Sequence, residues 1–276
     1  FIYSKISKFL IYLLYYSIFV IIMLIPIERW ENIVLSDAEK ERYNRQIMLF
    51  GEEGQKKLKA AKVGVIGVGG LGTNIAQQLV FAGVGNILLI DKDPIERSNL
   101  NRQILYAEED IGKMKIDIAV EKLRKANPFI RITGKKITVN DSNVDSIIKD
   151  LDLVIDGLDN WETRMIINSA CVRNRKPFIH AGIEGLYGQL LVVIPGKTPC
   201  LYCIFGAKKN MQRRQFPVLG VTPAIMANLQ VMEAIKLITD YGKPALNKLI
   251  IYDGYYETFS EIDVKRNENC PICRNL

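Results

Sequence analysis

The chain has 276 residues, of which 49% are hydrophobic and 24% are charged. This length and composition suit one large α/β domain, or one domain with an appendage, that buries a substantial core. The net charge of +7 is spread along the sequence without basic runs or basic–aromatic stripes, so nucleic-acid binding has little support.

The first thirty residues differ in character from the rest. No charge occurs in residues 9–27, and Lys5 and Lys8 precede this run. A helix of this length could span a membrane with its amino end inside. Because the chain begins with phenylalanine and Met23 lies within the run, we favour a fragment or an upstream start artefact for residues 1–30. A membrane anchor is the alternative.

Downstream of the leader, short apolar segments alternate with helical patterns. A polar helix capped by Ser36 or Asp37 comes first. Five apolar segments then read as strands, at residues 62–67, 86–91, 130–139, 150–156 and 177–181. Helices are predicted after the first strand, over residues 113–126 and after residue 160. This alternation predicts a Rossmann-like, doubly wound and mainly parallel sheet.

The pattern changes after Gly185. Further strands are predicted at residues 189–194, 249–252 and 257–264, with a helix over residues 223–239 between the first two. These segments predict an antiparallel extension of the same sheet. We therefore expect one domain over residues 35–276.

A glycine-rich turn, Gly67-Val-Gly69-Gly70-Leu-Gly72, joins the first strand to its helix. Glycines let the backbone approach a phosphate or ribose, and the amino end of a helix favours negative charge. Asp91 ends the second strand, where a carboxylate can accept hydrogen bonds from ribose hydroxyls. Taken alone, this fingerprint favours a nicotinamide- or flavin-dependent oxidoreductase.

The residues after the turn favour a triphosphate instead. Arg102 and Lys115 supply cations, and Asp159 and Asn160 follow the fourth strand. Because ligands of open α/β sheets bind beyond the carboxyl ends of the strands, Asp91 and Asp159 should face one crevice. Cations and a carboxylate that can hold Mg²⁺ are what a triphosphate requires.

Four cysteines form two Cys-x-x-Cys pairs, Cys200/Cys203 and Cys270/Cys273. Two such pairs can close a tetrahedral Zn²⁺ site without room for water, which predicts a structural zinc clip. Disulfides are disfavoured because nothing else in the chain suggests secretion. The remaining Cys171 is predicted to be a buried apolar residue.

In this order, the motifs resemble the ThiF/MoeB/HesA family, E1-like enzymes that adenylate ubiquitin-like sulfur-carrier proteins. The motifs are Arg42-Tyr-Asn-Arg45-Gln46, the glycine turn, Ser98–Gln103, Lys115, Asp159-Asn160 and the two cysteine pairs. The resemblance covers roughly residues 35–273.

The resemblance implies a bound ATP and a role for each matching residue. Asp159 would hold Mg²⁺ or position the α-phosphate, and Arg45 would reach the phosphates of the neighbouring subunit in a homodimer. Arg102 and Lys115 would complete the catalytic set, and the paired cysteines would hold zinc. The residues expected to bind ATP are Gly67, Gly69, Gly70, Asp91, Ser98, Asn99, Leu100, Asn101, Arg102, Lys115, Asp159 and Asn160.

The implied partner is a small β-grasp carrier protein ending in Gly-Gly, in thiamine- or molybdopterin-type sulfur transfer. Its terminal carboxylate would attack the α-phosphorus, giving an acyl adenylate and pyrophosphate. A carboxylate needs no general base, and His180, the only histidine, is interpreted as a core or crevice residue. We expect a cytoplasmic protein, with membrane association through residues 9–27 as the alternative.

One departure from the family concerns covalent transfer. Many relatives carry a cysteine before the helix near residue 223, but residues 211–220 contain none. Sulfur would have to come from another protein, such as a sulfurtransferase. Besides the oxidoreductase, two further alternatives are a relative that adenylates a tRNA or a peptide and a catalytically silent, membrane-tethered scaffold.

Overall fold

The computed structural model describes residues 24–207 and 216–276. Most of the predicted apolar run, and the first half of the cysteine-free segment 211–220, lie outside these residues. Where the described chain begins, Ile25 is buried in the core and the short helix α1 spans Ile27–Trp30. Arg29 donates a hydrogen bond to the Ala60 carbonyl at 2.6 Å, so residues ahead of position 35 contact the domain.

Helix α2 spans Asp37–Ala60 and begins with the predicted cap. The Ser36 hydroxyl accepts a hydrogen bond from the Glu39 amide at 3.3 Å, and the Glu39 carboxylate accepts one from the Ser36 amide at 2.9 Å. This reciprocal pair satisfies amide groups that would otherwise lack partners at the helix start. The helix is kinked at Gly51, whose φ of +73° interrupts the helical backbone.

The remaining elements follow in the predicted alternation. The strands are β1 Lys62–Ile66, β2 Asn86–Ile90, β3 Arg131–Lys135, β4 Leu153–Asp156, β5 Phe178–Glu184, β6 Tyr187–Val193, β7 Lys248–Asp253 and β8 Thr258–Asp263. The helices are α3 Gly70–Ala82, α4 Lys115–Ala126, α5 Val144–Ile148, α6 Trp161–Arg173, α7 Leu201–Phe205 and α8 Val221–Thr239. Two short 3₁₀ turns span Arg97–Asn99 and Glu108–Asp110.

All these strands form one sheet in the order β3-β2-β1-β4-β5-β6-β7-β8. The pairs from β3 to β5 are parallel, and the pairs from β5 to β8 are antiparallel. The predicted doubly wound sheet with an antiparallel carboxyl-terminal extension is therefore confirmed.

Strand register brings three chain segments to one point on the sheet edge. Ile66, the last residue of β1, pairs with Ile90 on one side and with Asp156 on the other. The residues that follow these strand ends therefore emerge side by side. The point lies where the strand order reverses, which is the usual ligand position in doubly wound sheets.

Helices cover both faces of this sheet. On one face, Val65 and Leu89 join a core cluster with Ile75 of α3 and Val231 of α8. On the other, Phe178 of β5 lies in a second cluster with residues of α5, α6 and α7. Burial on both faces explains why the parallel strands read as continuous apolar runs.

Within the described ranges, α8 is the one helix long and apolar enough to cross a membrane, with a mean hydropathy of 1.2. It packs against α2, α3, β5 and β6. A position between other helices and the sheet accounts for its apolar composition.

Several local features differ from the predictions: helices α1 and α7 were not predicted, and β5 continues to Glu184 where the predicted strand ended at residue 181. Strand β3 ends at Lys135 instead of residue 139, because its pairing partner β2 ends at Ile90, opposite Lys135. The short helix α5 was not predicted, since five residues carry too little periodicity to reveal a helix.

Candidate active site

The glycine turn packs directly against the loop that follows β4. Gly67 has a φ of +89°, and a β-carbon on it would lie 2.7 Å from the Gly157 carbonyl oxygen. A β-carbon on Gly72 would lie 1.9 Å from the Gly67 carbonyl oxygen. Neither position can take a side chain unless the backbone shifts. The glycines thus allow two loops to touch, backbone to backbone.

Asp91 fixes the turn from the other side. Its carboxylate accepts hydrogen bonds from the Val68 amide at 2.7 Å and from the Asp93 amide at 2.9 Å. A carboxylate has about four lone-pair positions, so Asp91 keeps capacity for ribose hydroxyls after making these bonds. The residue both shapes the turn and presents oxygen atoms beside it.

Arg102 lies over the glycine turn. Its Cγ and Cδ atoms are each 3.4 Å from a β-carbon built on Gly70. Its guanidinium donates to the Ser98 carbonyl and to the Asn101 side chain, both at 2.8 Å. The amino end of α8 closes on the same segment, since a β-carbon on Gly220 would lie 2.5 Å from the Asn101 carbonyl oxygen. The predicted 98–103 motif therefore packs between the glycine turn and the start of α8, with its Arg102 side chain beside the turn.

Lys115 begins helix α4 and is largely buried. Its Nζ lies 3.8 Å from the Asp93 carboxylate, and its amide donates to the Asp93 carbonyl at 3.2 Å. These contacts hold the lysine beside the segment that follows β2. A second positive charge is thereby placed near the turn.

Gln103 is a site residue that the sequence reasoning did not single out. Its side chain is 4% exposed and borders the turn, since its Nε2 lies 3.6 Å from a β-carbon built on Gly69. Its Oε1 has no hydrogen-bond partner among the described residues. A buried polar atom without a partner is costly, so this orphaned acceptor fits a site built for a polar ligand.

Asp159 and Asn160 lie in the loop between β4 and α6. The Asn160 side chain caps α6 by accepting a hydrogen bond from the Thr163 amide at 2.9 Å. It also donates to the Asp159 carboxylate at 3.3 Å. Asp159 is exposed and follows Gly157, which touches the glycine turn. Its carboxylate is therefore solvent-exposed on the loop that touches the turn.

A buried charged network lies directly behind Asp159. Asp156 accepts hydrogen bonds from Arg164 Nε at 2.9 Å and shares a 2.6 Å hydrogen bond with His180 Nδ1. Asp156 and His180 are fully buried. The sequence reasoning missed Asp156 and Arg164, because an aspartate that ends an apolar run gives no local sign of its partners.

The network assigns the protonation state of His180. Its Nδ1 faces the Asp156 carboxylate and its Nε2 lies 3.3 Å from Gln189 Nε2, which is a donor. A neutral ring with its proton on Nδ1 satisfies both neighbours. Burial lowers the pKa of His180, and the Arg164 charge acts in the same direction. Burial alone would raise the pKa of Asp156, but Arg164 and His180 hold it below the usual range.

Arg45 does not reach the site of its own chain. It is exposed on α2, two residues after Tyr43. A β-carbon on Gly83, just past the end of α3, would lie 2.6 Å from the Tyr43 ring. Helix α3 begins at the glycine turn and has 13 residues. A helix of that length spans about 20 Å, so Arg45 lies at the opposite end of α3 from the turn.

The four paired cysteines meet at one point, as predicted. Neighbouring sulfur atoms lie 3.4 to 3.8 Å apart, and all four lie within 4.8 Å of one another. They are free thiols and not disulfides. The Asn267 amide donates to Cys203 Sγ at 3.5 Å. This cluster could hold a metal ion.

The ThiF family model matches residues 43–272. The chain belongs to the ThiF family. It is 42% identical over 243 residues to the heterocyst HesA protein of Trichormus variabilis, covering 87% of this chain and 91% of that protein. It is 38% identical over 248 residues to a sulfur carrier protein adenylyltransferase of Thermus thermophilus, covering 85% and 91%.

The chain is also similar to solved structures. MccB of E. coli, solved with ATP, superposes with a TM-score of 0.77 and 28% identity, covering 90% of this chain and 79% of that one. Membership in the ThiF family makes this chain an E1-like nucleotidyltransferase. The oxidoreductase that the glycine turn alone favoured is therefore not supported.

The neutral state of His180 predicts a pH-dependent stability. Its folded pKa lies below the ordinary value of about 6.5. As the pH falls, His180 therefore binds a proton more readily in the unfolded chain than in the folded chain. We expect the free energy of unfolding to decrease as the pH falls through about 6.5, the ordinary histidine value, while Asp156 stays ionised.

Urea denaturation at a series of pH values measures this drop. His180→Asn keeps a donor toward Asp156 but cannot titrate, so this variant should lose that part of the pH dependence. An identical pH profile in the variant and the wild type would refute the assignment. The test is clean because the chain has a single histidine.

Proposed function

We propose that this ThiF-family chain is an ATP-dependent adenylyltransferase that activates the C-terminal Gly-Gly carboxylate of a small, ubiquitin-like β-grasp carrier protein. The proposal is supported by the contacts of three residues. Arg102 lies against the glycine turn, Lys115 lies beside Asp93 next to the aspartate that binds the turn, and Asp159 lies on the loop that touches it. The name of the Thermus thermophilus relative and the ATP in the MccB structure support the same reaction type.

The site has the features that a bound ATP requires. The amino end of α3 presents free amide groups and a partial positive charge at the glycine turn, where phosphates bind well. Arg102 and Lys115 add full positive charges, and Asp91 can take the ribose hydroxyls. The unpartnered Gln103 oxygen is available to a polar ligand at the same turn.

The chemistry requires positioning and charge neutralisation. A carboxylate oxygen of the carrier attacks the α-phosphorus, and the bond from that phosphorus to the bridging oxygen breaks. Pyrophosphate leaves with the electron pair, and no proton needs to move. Arg102 and Lys115 would stabilise the charge that develops on the phosphate oxygens. The buried, hydrogen-bonded His180 is thus not needed as a base.

Asp159 has the chemistry to hold Mg²⁺. Its carboxylate is exposed, and Mg²⁺ is commonly bound by one or two carboxylates together with substrate phosphates. When bound, the ion would neutralise phosphate charge.

The cysteine cluster fits zinc. A tetrahedral ion with Zn–S bonds of about 2.3 Å places its sulfur ligands about 3.8 Å apart. The observed sulfur separations of 3.4, 3.7 and 3.8 Å agree with this geometry. The four ligands would close the site, so zinc would have a structural role.

The position of Arg45 favours a homodimer. An arginine at the far end of α3 can serve an active site only if that site belongs to another copy. Met48 and Leu49, which follow Arg45 on the same helix, are 72% and 62% exposed. Exposed apolar side chains beside the arginine suit a subunit interface.

The chain offers no cysteine for a thioester step. Four of its five cysteines form the cluster, and burial raises the pKa of the remaining Cys171. We propose that the adenylate is passed to a sulfur donor on another protein, such as a sulfurtransferase. Cysteines clustered as metal ligands and not paired as disulfides support a cytoplasmic location.

Asp159→Ala tests the site directly. We expect this change to lower ATP–pyrophosphate exchange by at least about 100-fold, because it removes the carboxylate opposite the triphosphate. Exchange is measured with a panel of ubiquitin-like carriers ending in Gly-Gly and with versions lacking the last glycine. Asp263→Ala, an exposed change at the end of β8, is the control. Full exchange in Asp159→Ala, or binding of NAD in place of ATP, would disprove the proposal.

Mixing two inactive variants tests the dimer. Arg45→Ala and Asp159→Ala homodimers should each be inactive, but a mixed dimer has one site with both residues intact. Random exchange of subunits should restore about a quarter of wild-type activity. The measurement is exchange activity after the variants are mixed and subunits re-equilibrated. If activity does not rise above that of either variant alone, Arg45 does not act in the neighbouring subunit.

Metal analysis tests the zinc site. The wild-type chain should contain about one zinc, whereas Cys270→Ser should lose it and melt at a lower temperature. Cys171→Ser is the matched control, since it changes a buried cysteine outside the cluster and should keep its zinc. Zinc retained in Cys270→Ser would rule out the assignment.

A further inference from the structure

The loop that carries Asp159 is held from beneath by side chains of three different elements. Asp156 ends β4, Arg164 lies on α6 and His180 lies on β5. Both Arg164 and His180 bind the same carboxylate oxygen, Oδ2 of Asp156. The other oxygen, Oδ1, accepts a hydrogen bond from the Leu158 amide at 2.8 Å.

Arg164 also binds the peptide that enters Asp159. Its Nη2 donates to the Leu158 carbonyl, which belongs to the peptide bond between Leu158 and Asp159. The same nitrogen donates to the Ala181 carbonyl of β5 at 3.1 Å. The Leu158 backbone is therefore hydrogen-bonded at both of its polar groups: the amide binds Asp156 and the carbonyl binds Arg164. One guanidinium joins the active-site loop to two neighbouring strands.

The loop is fixed at both of its ends. The Gly157 amide donates to the Ile66 carbonyl at 2.8 Å, which ties the loop to β1. Asn160 caps α6, which ties it to the helix. Between these anchors, the Asp159 carboxylate is exposed and receives a hydrogen bond from the side chain of its neighbour Asn160. Its placement therefore depends on the backbone that carries it.

We propose that Asp156, Arg164 and His180 form a positioning network that fixes the Leu158–Asp159 peptide and thereby sets where the Asp159 carboxylate lies. The inference rests on the proposed function, in which Asp159 faces the triphosphate. These three residues do not touch the substrate. They act through Asp159, and their loss should lower turnover more than it weakens ATP binding by the glycine turn.

Arg164→Lys is the test variant, because it keeps the buried charge but places its donors on a single nitrogen. One ammonium cannot reproduce the planar fork that reaches Asp156 through Nε and the two carbonyls through Nη2. Arg173→Lys is the matched control: the same change on the same helix, in a residue that pairs with Asp145 on the surface. Hydrogen exchange should speed up at least tenfold at the hydrogen-bonded amides of Gly157 and Leu158 in Arg164→Lys and should not change in Arg173→Lys. Unchanged protection of this loop would overturn the proposal.

Enzyme kinetics provide a second test of the positioning network. Arg164→Lys should lower the turnover number for ATP–pyrophosphate exchange by about 10- to 100-fold, the usual effect of misplacing a catalytic group. The KM for ATP should change by less than about threefold. His180→Asn, which keeps the donor toward Asp156, should retain near-wild-type turnover, whereas His180→Leu should lose about tenfold.

A double-mutant cycle separates positioning from general structural damage. If Arg164 acts through Asp159, then Arg164→Lys should cause no further loss once Asp159 is alanine. An equal loss in both backgrounds would overturn the proposal. Full activity of Asp159→Ala, or a wild-type chain without ATP–pyrophosphate exchange, would instead refute the proposed function. The hydrogen-exchange rates of the loop amides would still show whether the network fixes the loop.

Discussion

Backbone contact between the glycine turn and the loop after β4 organises this molecule. Gly67, Gly72 and Gly157 approach so closely that a β-carbon on any of them would overlap a neighbouring backbone atom. The contact joins the turn beside β1 to the loop that carries Asp159. It exists because β1, β2 and β4 end in register at the same edge of the sheet.

The two halves of the chain contribute different groups to this edge. The first half supplies the turn, Asp91 and the cations, which suit a nucleotide. The second half supplies Asp159, its supporting network and the cysteine cluster, whose first pair lies on α7 and its N-cap. The Leu201 amide on α7 donates to Asn168 of α6 at 2.9 Å, so the cluster and the helix behind Asp159 are physically linked. Helix α6 therefore contacts both the segment that carries the first cysteine pair and the loop that carries Asp159.

Local patterns allowed much of this structure to be predicted from the sequence. The strand, glycine turn and helix are consecutive, and so are the Ser36 cap and its helix. The partners of Asp156 could not be predicted, because they come from α6 and β5 and meet only once the sheet order is fixed. The shortened β3 depends on where a neighbouring strand stops. The distance of Arg45 from its own turn likewise follows from packing and not from spacing.

The central claim is that ATP lies between the glycine turn and Asp159, with Arg102 and Lys115 at its phosphates. A crystal structure with Mg²⁺ and a non-hydrolysable ATP analogue tests this most directly. The account predicts phosphate oxygens within hydrogen-bond distance of both cations, and the Asp159 carboxylate at the metal or the α-phosphate. Phosphates bound elsewhere, or Asp159 turned away from them, would contradict it.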